Sequence, residues 1–140
     1  MKRDESFGVI PLSKKSGDWE VFLIQHNRSG YWGFPKGHAE EGETPFDAAF
    51  RELKEETNLD LIKLLDENPL KEQYTFILDR KRVFKEVLYY IAEVGGIVSL
   101  QTQEIHDGKW IAFPLAISQV THKEGKNLLV QVEKMLPKIG

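Results

Sequence analysis

The chain contains no cysteine. A disulfide framework is therefore excluded, and with it the small stapled scaffolds of secreted domains; the composition fits a reducing compartment. Charge of one sign is also lacking. Nineteen Lys and Arg stand against 22 Asp and Glu, for a formal net charge of −3, so no global field draws the chain to nucleic acid. No apolar run approaches the roughly 20 residues that cross a bilayer. The stretch after Met1–Ser6 is apolar but short and interrupted by Pro11, unlike the apolar core of a signal peptide. Together these absences predict a cytoplasmic protein with no membrane partner. Linkers, repeats and low-complexity tracts are missing too. At 140 residues the chain is long enough to bury a core unaided, and a single domain spanning 1–140 is expected.

What is present reads as alternating strand and helix patterns. Phe7–Leu12 and Trp19–His26 have strand composition, with turn chemistry between them in Lys14-Lys15-Ser16-Gly17-Asp18. Ser29–Gly37 is rich in glycine and aromatics and cannot be a helix. Thr44 is a good N-cap, Pro45 suits the first helical position, and Asp47 favours the positive end of the helix. Phe46, Ala49, Phe50 and Leu53 recur at helical spacing, and Asn58 tolerates the left-handed conformation that ends a helix. The spacing thus predicts a helix over 45–57. Gln73–Leu78 and Val83–Val94 read as long strands around the charged turn Asp79-Arg80-Lys81-Arg82. Ile97–Leu100 and Lys109–Phe113 read as short strands. From Pro114 the chain turns helical, and Leu128, Leu129, Val132, Met135 and Leu136 mark one face of a closing helix. The expected fold class is α+β, a mixed β-sheet sandwiched between α-helices.

The predicted central helix carries the most informative chemistry. Glu52, Glu55 and Glu56 lie at i, i+3 and i+4 and so share one face, with neighbouring Cβ atoms about 5–6 Å apart. Three like charges there repel one another. A hard divalent cation removes that cost, because Mg²⁺ prefers carboxylate oxygens and keeps waters that a phosphate can displace. The plainer alternative is a solvated acidic face with Arg51 and Lys54 as partners.

Wider spacing separates the two. Gly37, Glu43, Arg51, Glu52, Leu53, Glu55, Glu56 and Leu59 follow the pattern G-x5-E-x7-R-E-U-x-E-E-x-G-U, with U aliphatic and Asn58 in place of the second glycine. Six polar or glycine positions match, which at about 7% usage each has a chance on the order of 10⁻⁷ per start position. This resembles the Nudix box, the signature of hydrolases that cleave a nucleoside diphosphate linked to another group. The resemblance implies the Nudix fold and assigns roles. Glu52, Glu55 and Glu56 become catalytic metal ligands for Mg²⁺, with Mn²⁺ as the alternative, and Glu52 is a candidate for orienting or deprotonating the attacking water. Gly37 offers its carbonyl to the metal. Arg51, supported by Glu43, holds the carboxylates, although a simple helical pairing with Asp47 would also account for it. Glu104 is the candidate for the further carboxylate that many Nudix enzymes supply from a loop, with a solvated loop residue as the alternative.

The segment Trp32-Gly33-Phe34-Pro35-Lys36-Gly37-His38 and the strand Lys85-Glu86-Val87-Leu88-Tyr89-Tyr90 resemble the members of that family that split diadenosine tetraphosphate asymmetrically, into a nucleoside triphosphate and a monophosphate. By this resemblance Lys36, His38, Tyr74 and Lys85 are substrate-binding residues, Tyr74 by stacking on adenine. Arg80, Lys81 and Arg82 suit a polyphosphate, or else a solubilising hairpin tip. Of Tyr89 and Tyr90, which point to opposite faces, one belongs to the core. The implied partner is a small nucleotide, with nucleic acid entering only as an RNA 5′ end in the alternative of an RNA 5′-pyrophosphohydrolase. A catalytically inactive nucleotide-binding module is the alternative of another class.

Overall fold

The computed structural model describes residues 1–139. Among them, β1 (Lys2–Lys15), β2 (Asp18–His26), β3 (Trp32–Gly33), β4 (Lys36–Gly37), β5 (Asp60–Leu64), β6 (Leu70–Leu78), β7 (Lys81–Gly95) and β8 (Ile105–Ala112) join in one sheet. The helices are α1 (Pro45–Thr57), α2 (Phe113–Gln119) and α3 (Lys123–Ile139). The sheet is mixed because its two longest strands, β1 and β7, run parallel from Lys2 opposite Val83 to Leu12 opposite Glu93, while the other pairings are antiparallel.

Alternation along β1 and β7 divides the core between two faces. Val9, Tyr90, Ala92 and Val94 point to α1, where Ala49 and Leu53 are fully buried against them. Ile10, Leu12, Val87, Tyr89 and Ile91 point the other way, towards Leu128, Leu129 and Val132 of α3. Each fully buried Leu or Ile contributes roughly 1.5–3 kcal/mol by leaving water. The sheet is sandwiched between helices, as the element order predicts.

Helix α1 has the predicted ends. Thr44 Oγ1 accepts from the Asp47 amide at 3.1 Å, and Asn58 sits at φ 67°, ψ 8°, its N–H returning to the Lys54 carbonyl. Asparagine therefore supplies the left-handed cap that the family pattern gives to glycine. The β6–β7 hairpin turns on Asp79 and Arg80, both at positive φ, a tight two-residue connection that suits twisted strands.

Several elements differ from the sequence reading, among them β5, which is absent from it, and β6, which starts at Leu70 rather than Gln73. Strand β1 begins at Lys2 because β7 offers it a parallel partner from Lys2 to Leu12. The loop predicted over 29–37 contains the two-residue strands β3 and β4, which pair with β2 and β1. Strand β8 begins at Ile105 and ends at Ala112, so Phe113 starts α2. The strand expected over Ile97–Leu100 is absent, and its residues run outside any ladder. Their β-branched composition mimics a strand, but the amides of Ser99 and Gln101 bond to the carbonyls of Thr57 and Glu56 at 3.0 and 3.1 Å. The segment thus covers orphan acceptors at the end of α1.

Candidate active site

The site grows from the contact between β4 and α1. Packing of Ala48, Ala49 and Leu53 against the sheet fixes the rotation of α1 and turns Arg51, Glu52, Glu55 and Glu56 towards β4 and the following loop. Arg51 organises this face. Its Nε and Nη2 donate to the two oxygens of Glu43 at 2.7 and 2.9 Å, a bidentate fork that lysine cannot reproduce. Nη1 donates to Glu52 and Glu55, each at 3.1 Å, and Nη2 to the His38 carbonyl at 3.0 Å. The Glu43 bonds chiefly, together with those from Glu52 and Glu55, hold the guanidinium in its charged form beyond its already high ordinary pKa. The sequence pairing with Asp47 is replaced by this fan, which spans four of the residues singled out by the motif.

Glu56 differs from its neighbours. It is 4% exposed, and its Oε2 has no hydrogen-bond partner. Burial, followed by the charges of Glu52 and Glu104, pushes its carboxyl up to about 9. Glu52 is raised in the same direction by burial, with Arg51 opposing. An unpartnered buried carboxyl oxygen costs free energy unless something else satisfies it.

The donor set suits a divalent cation on two further counts. A Cβ at Gly37 would run into the Glu52 carboxylate, so the absence of a side chain leaves room where charge and backbone carbonyl approach. The ligands offered are all hard oxygens, as Mg²⁺ or Mn²⁺ requires. Among the described residues no three acidic or histidine side chains already converge as a metal shell; Glu52 and Glu55 are turned towards Arg51 instead. Gly37→Ala is expected to displace Glu52 and lower turnover at least tenfold with little change in melting temperature. Parallel activity and melting measurements check this, and wild-type turnover would remove Gly37 from the site.

Glu104 stands in the loop before β8. Its carbonyl accepts from the Asn27 amide at 2.8 Å, its own amide bonds to Gln101 Oε1 at 2.9 Å, and the Gln101 amide holds the Glu56 carbonyl. The side chain is exposed and close enough to act electrostatically on both Glu56 and His26.

His26 lines a cleft of about 540 Å³ on the α3 side of the sheet. Its floor includes Phe34 and Tyr89, packed edge to face. Lys36 and Tyr74 line it too, the lysine Nζ lying 3.4 Å from the tyrosine hydroxyl. Burial lowers the Lys36 pKa while Glu72 and Glu56 oppose the shift. Lys36 thereby joins the acidic helix to the aromatic cleft. Tyr90, by contrast, is core, packed against Phe46 and Phe50.

Two expected substrate contacts lie elsewhere. Lys85 is 6% exposed and donates to Asp4 Oδ2 at 2.7 Å and to Ser6. His38 meets the other oxygen of Asp4 at 2.8 Å. Both are engaged with the first strand rather than open to the cleft, and Arg80, Lys81 and Arg82 are exposed at the hairpin. Trp32, Glu72, Phe76, His122 and Glu124 line the cleft without having been singled out as site residues. Only Trp32 had a signal, through its place in the segment before the box; the others come together across strands and a helix end.

A mixed sheet between helices, with this spacing of glycine, arginine and glutamates at one sheet end, defines a Nudix protein. The chain belongs to that family: the NUDIX domain model matches residues 2–131. Its members are hydrolases that generally use divalent metal ions. Among its relatives is the asymmetrical bis(5′-nucleosyl)-tetraphosphatase of Caenorhabditis elegans, 31% identical over 124 residues, which cover 87% of this chain and 88% of that one. The crystal structure of the C. elegans Ap4A hydrolase superimposes with a TM-score of 0.73 at 29% identity, covering 94% of this chain and 97% of the other. An RNA pyrophosphohydrolase of Campylobacter jejuni is 26% identical over 145 residues, covering 94% and 90%. A mutator protein of Mycobacterium tuberculosis is longer, 29% identical over 111 residues, with 77% of this chain spanning 43% of it.

Proposed function

We propose that the chain hydrolyses a phosphoanhydride bond in a dinucleoside polyphosphate, with diadenosine tetraphosphate cut to ATP and AMP as the leading substrate. One observation carries the reading: Lys36 sits between the Glu56 carboxyl, whose Oε2 lacks a partner, and an aromatic cleft of about 540 Å³. A polyphosphate chain can pass this cation while a nucleoside occupies the cleft. The similarity to the C. elegans tetraphosphatase over most of both chains supports the choice of substrate.

Glu52, Glu55, Glu56, the Gly37 carbonyl and Glu104 are the proposed metal ligands. A bound divalent cation would neutralise charge on the phosphate oxygens and lower the pKa of a coordinated water. Arg51 keeps Glu43, Glu52 and Glu55 in register around that position. Lys36 offers its ammonium to a bridging phosphate, and Tyr74 offers a ring face to the base. The aromatic walls exclude water around the nucleoside.

A panel of dinucleoside polyphosphates, 5′-triphosphorylated RNA, nucleotide sugars and nucleoside triphosphates, with product analysis, tests the assignment. ATP and AMP in equal amounts from diadenosine tetraphosphate is the expected result. Preferred release of pyrophosphate from RNA would replace it with the activity named for the C. jejuni relative. Nucleotide binding without any turnover would identify a regulatory module, a role that does not require the full glutamate set.

A further inference from the structure

The cleft contains a carboxyl that the proposed hydrolysis does not use. Glu72, on β6, is 9% exposed. Its carboxylate has no hydrogen bond or ion pair with any described residue, unlike the side chains of its strand neighbours Lys71 and Gln73, which both engage Glu86. Its register partner on β7 is Val87, so its side chain shares a face with Tyr74, Lys85 and Tyr89 and is directed into the cleft that it lines. Its oxygens are not among the sealed atoms without partners, as those of Glu20 and Glu56 are; they open onto the cavity. A second carboxyl, Glu124, lines the same space.

Lys36 acts on Glu72 electrostatically without bonding it, so the Glu72 carboxyl keeps its acceptor oxygens free, and with Glu124 it favours a donor-bearing group in this part of the cleft. The surrounding surface includes Trp32, Phe34, Tyr74, Phe76 and Tyr89, together with the imidazoles of His26 and His122, which suits a planar ring. A ring that enters an aromatic slot and donates hydrogen bonds to a carboxyl is a nucleobase with an exocyclic amino group.

We infer that Glu72 is a specificity-determining residue that accepts a hydrogen bond from the exocyclic amino group of a base held in the aromatic cleft, adenine in the present reading. This deepens the proposed function and rests on its placement of a nucleoside in the cleft. Burial raises the Glu72 carboxyl above its ordinary range, with Lys36 opposing, which helps it also offer a proton to the ring nitrogen beside the amino group. A site built to pair with a polar group discriminates strongly against a ligand lacking it, because its own buried group is then left unsatisfied.

The test compares adenosine 5′-diphosphate with purine riboside 5′-diphosphate, the same ring without its amino group, in calorimetric titrations. Wild type is expected to bind the adenine nucleotide about tenfold or more tightly, the value of one good hydrogen bond to a buried carboxyl. Glu72→Leu should bring the ratio near one. Glu72→Gln, which keeps an acceptor oxygen and matches adenine geometrically, should retain most of the preference. If the Leu variant lacks a cooperative melt, Glu72→Met replaces it. Equal affinities in wild type, an unchanged ratio in the apolar variant, or equal weakening of both ligands would overturn the inference. The last outcome would mean that Glu72 acts only through Lys36. Hydrolysis of diadenosine tetraphosphate is followed separately. Discrimination without hydrolysis would sink the proposed reaction and leave Glu72 standing, while hydrolysis without discrimination would do the reverse.

Discussion

Glu56→Gln is expected to reduce turnover of diadenosine tetraphosphate on the order of 10²–10³-fold, the usual cost of removing one electrostatic stabiliser of a transition state. Glutamine fills the same volume but cannot become an anion, so it removes a hard charged ligand without opening a cavity. The fold should survive and even gain stability when no metal is present. The sign follows from the carboxyl, which titrates at about 9 in the folded chain and near the ordinary glutamate value when unfolded. Below the lower value both states are protonated, and the folded chain bears no ionisation cost. Between the two values the unfolded chain gives up its proton while the folded chain keeps it, and wild-type stability falls as pH rises; above the upper value the loss is complete. The melting temperature of metal-free Glu56→Gln should therefore exceed that of wild type by a margin that widens over that interval. Near-normal turnover in the variant would refute the assignment of Glu56, and a margin that does not change with pH would refute its burial as an uncompensated acid.

Arg51→Ala should be nearly as damaging by another route. The guanidinium satisfies both oxygens of Glu43 and one each of Glu52 and Glu55. Its loss leaves several carboxylates facing one another with no resident counter-charge. Residues that orient metal ligands typically cost 10–100-fold in affinity or activity when removed, and a loss near the upper end is expected here because three acids are released at once. Part of the loss should be recovered at high magnesium, as cations substitute for the missing charge. The melting temperature should fall by several degrees, because the pairs with Glu43 and Glu52 are largely buried and only that with Glu55 is half exposed. Arg51→Lys should resemble the alanine variant more than wild type, because an ammonium cannot hold Glu43 bidentately while also reaching Glu52. Wild-type kinetics in the lysine variant would remove the fork from the account.

Local chemistry was readable wherever it decided the structure. The ends of α1 follow from Thr44, Pro45 and Asn58, whose capping preferences depend only on adjacent backbone. The glutamates lie on one side because helical spacing alone puts them there. Strand β5 left no trace in the sequence: Leu61 and Ile62 are both exposed, and only pairing with β7 makes the segment extended. Ile97–Leu100 failed in the opposite sense, since strand composition was present but the available partners were helix carbonyls. The basic residues show a third limit. Lys85 was read as a free cation near phosphate, yet its fate depends on Asp4 and Ser6 of a strand far away in sequence. Glu72 illustrates the same limit from the other direction, because one acid in an alternating strand carries no mark of the aromatic cleft that β3, β7 and the start of α3 complete around it.

The bonds from Ser99 and Gln101 onto the last carbonyls of α1 reach further than helix capping. Through Gln101, whose side chain receives the Glu104 amide, they join the helix end and the acidic loop into one mechanical frame. The separation of the two main-chain segments that supply these carboxylates is consequently set by peptide groups and one glutamine amide, which leaves only the rotamers of the acids to adjust the gap. The frame yields when one of these main-chain N–H groups, that glutamine or Asn27, whose side chain holds the carbonyls of Thr102 and Gln103, is lost.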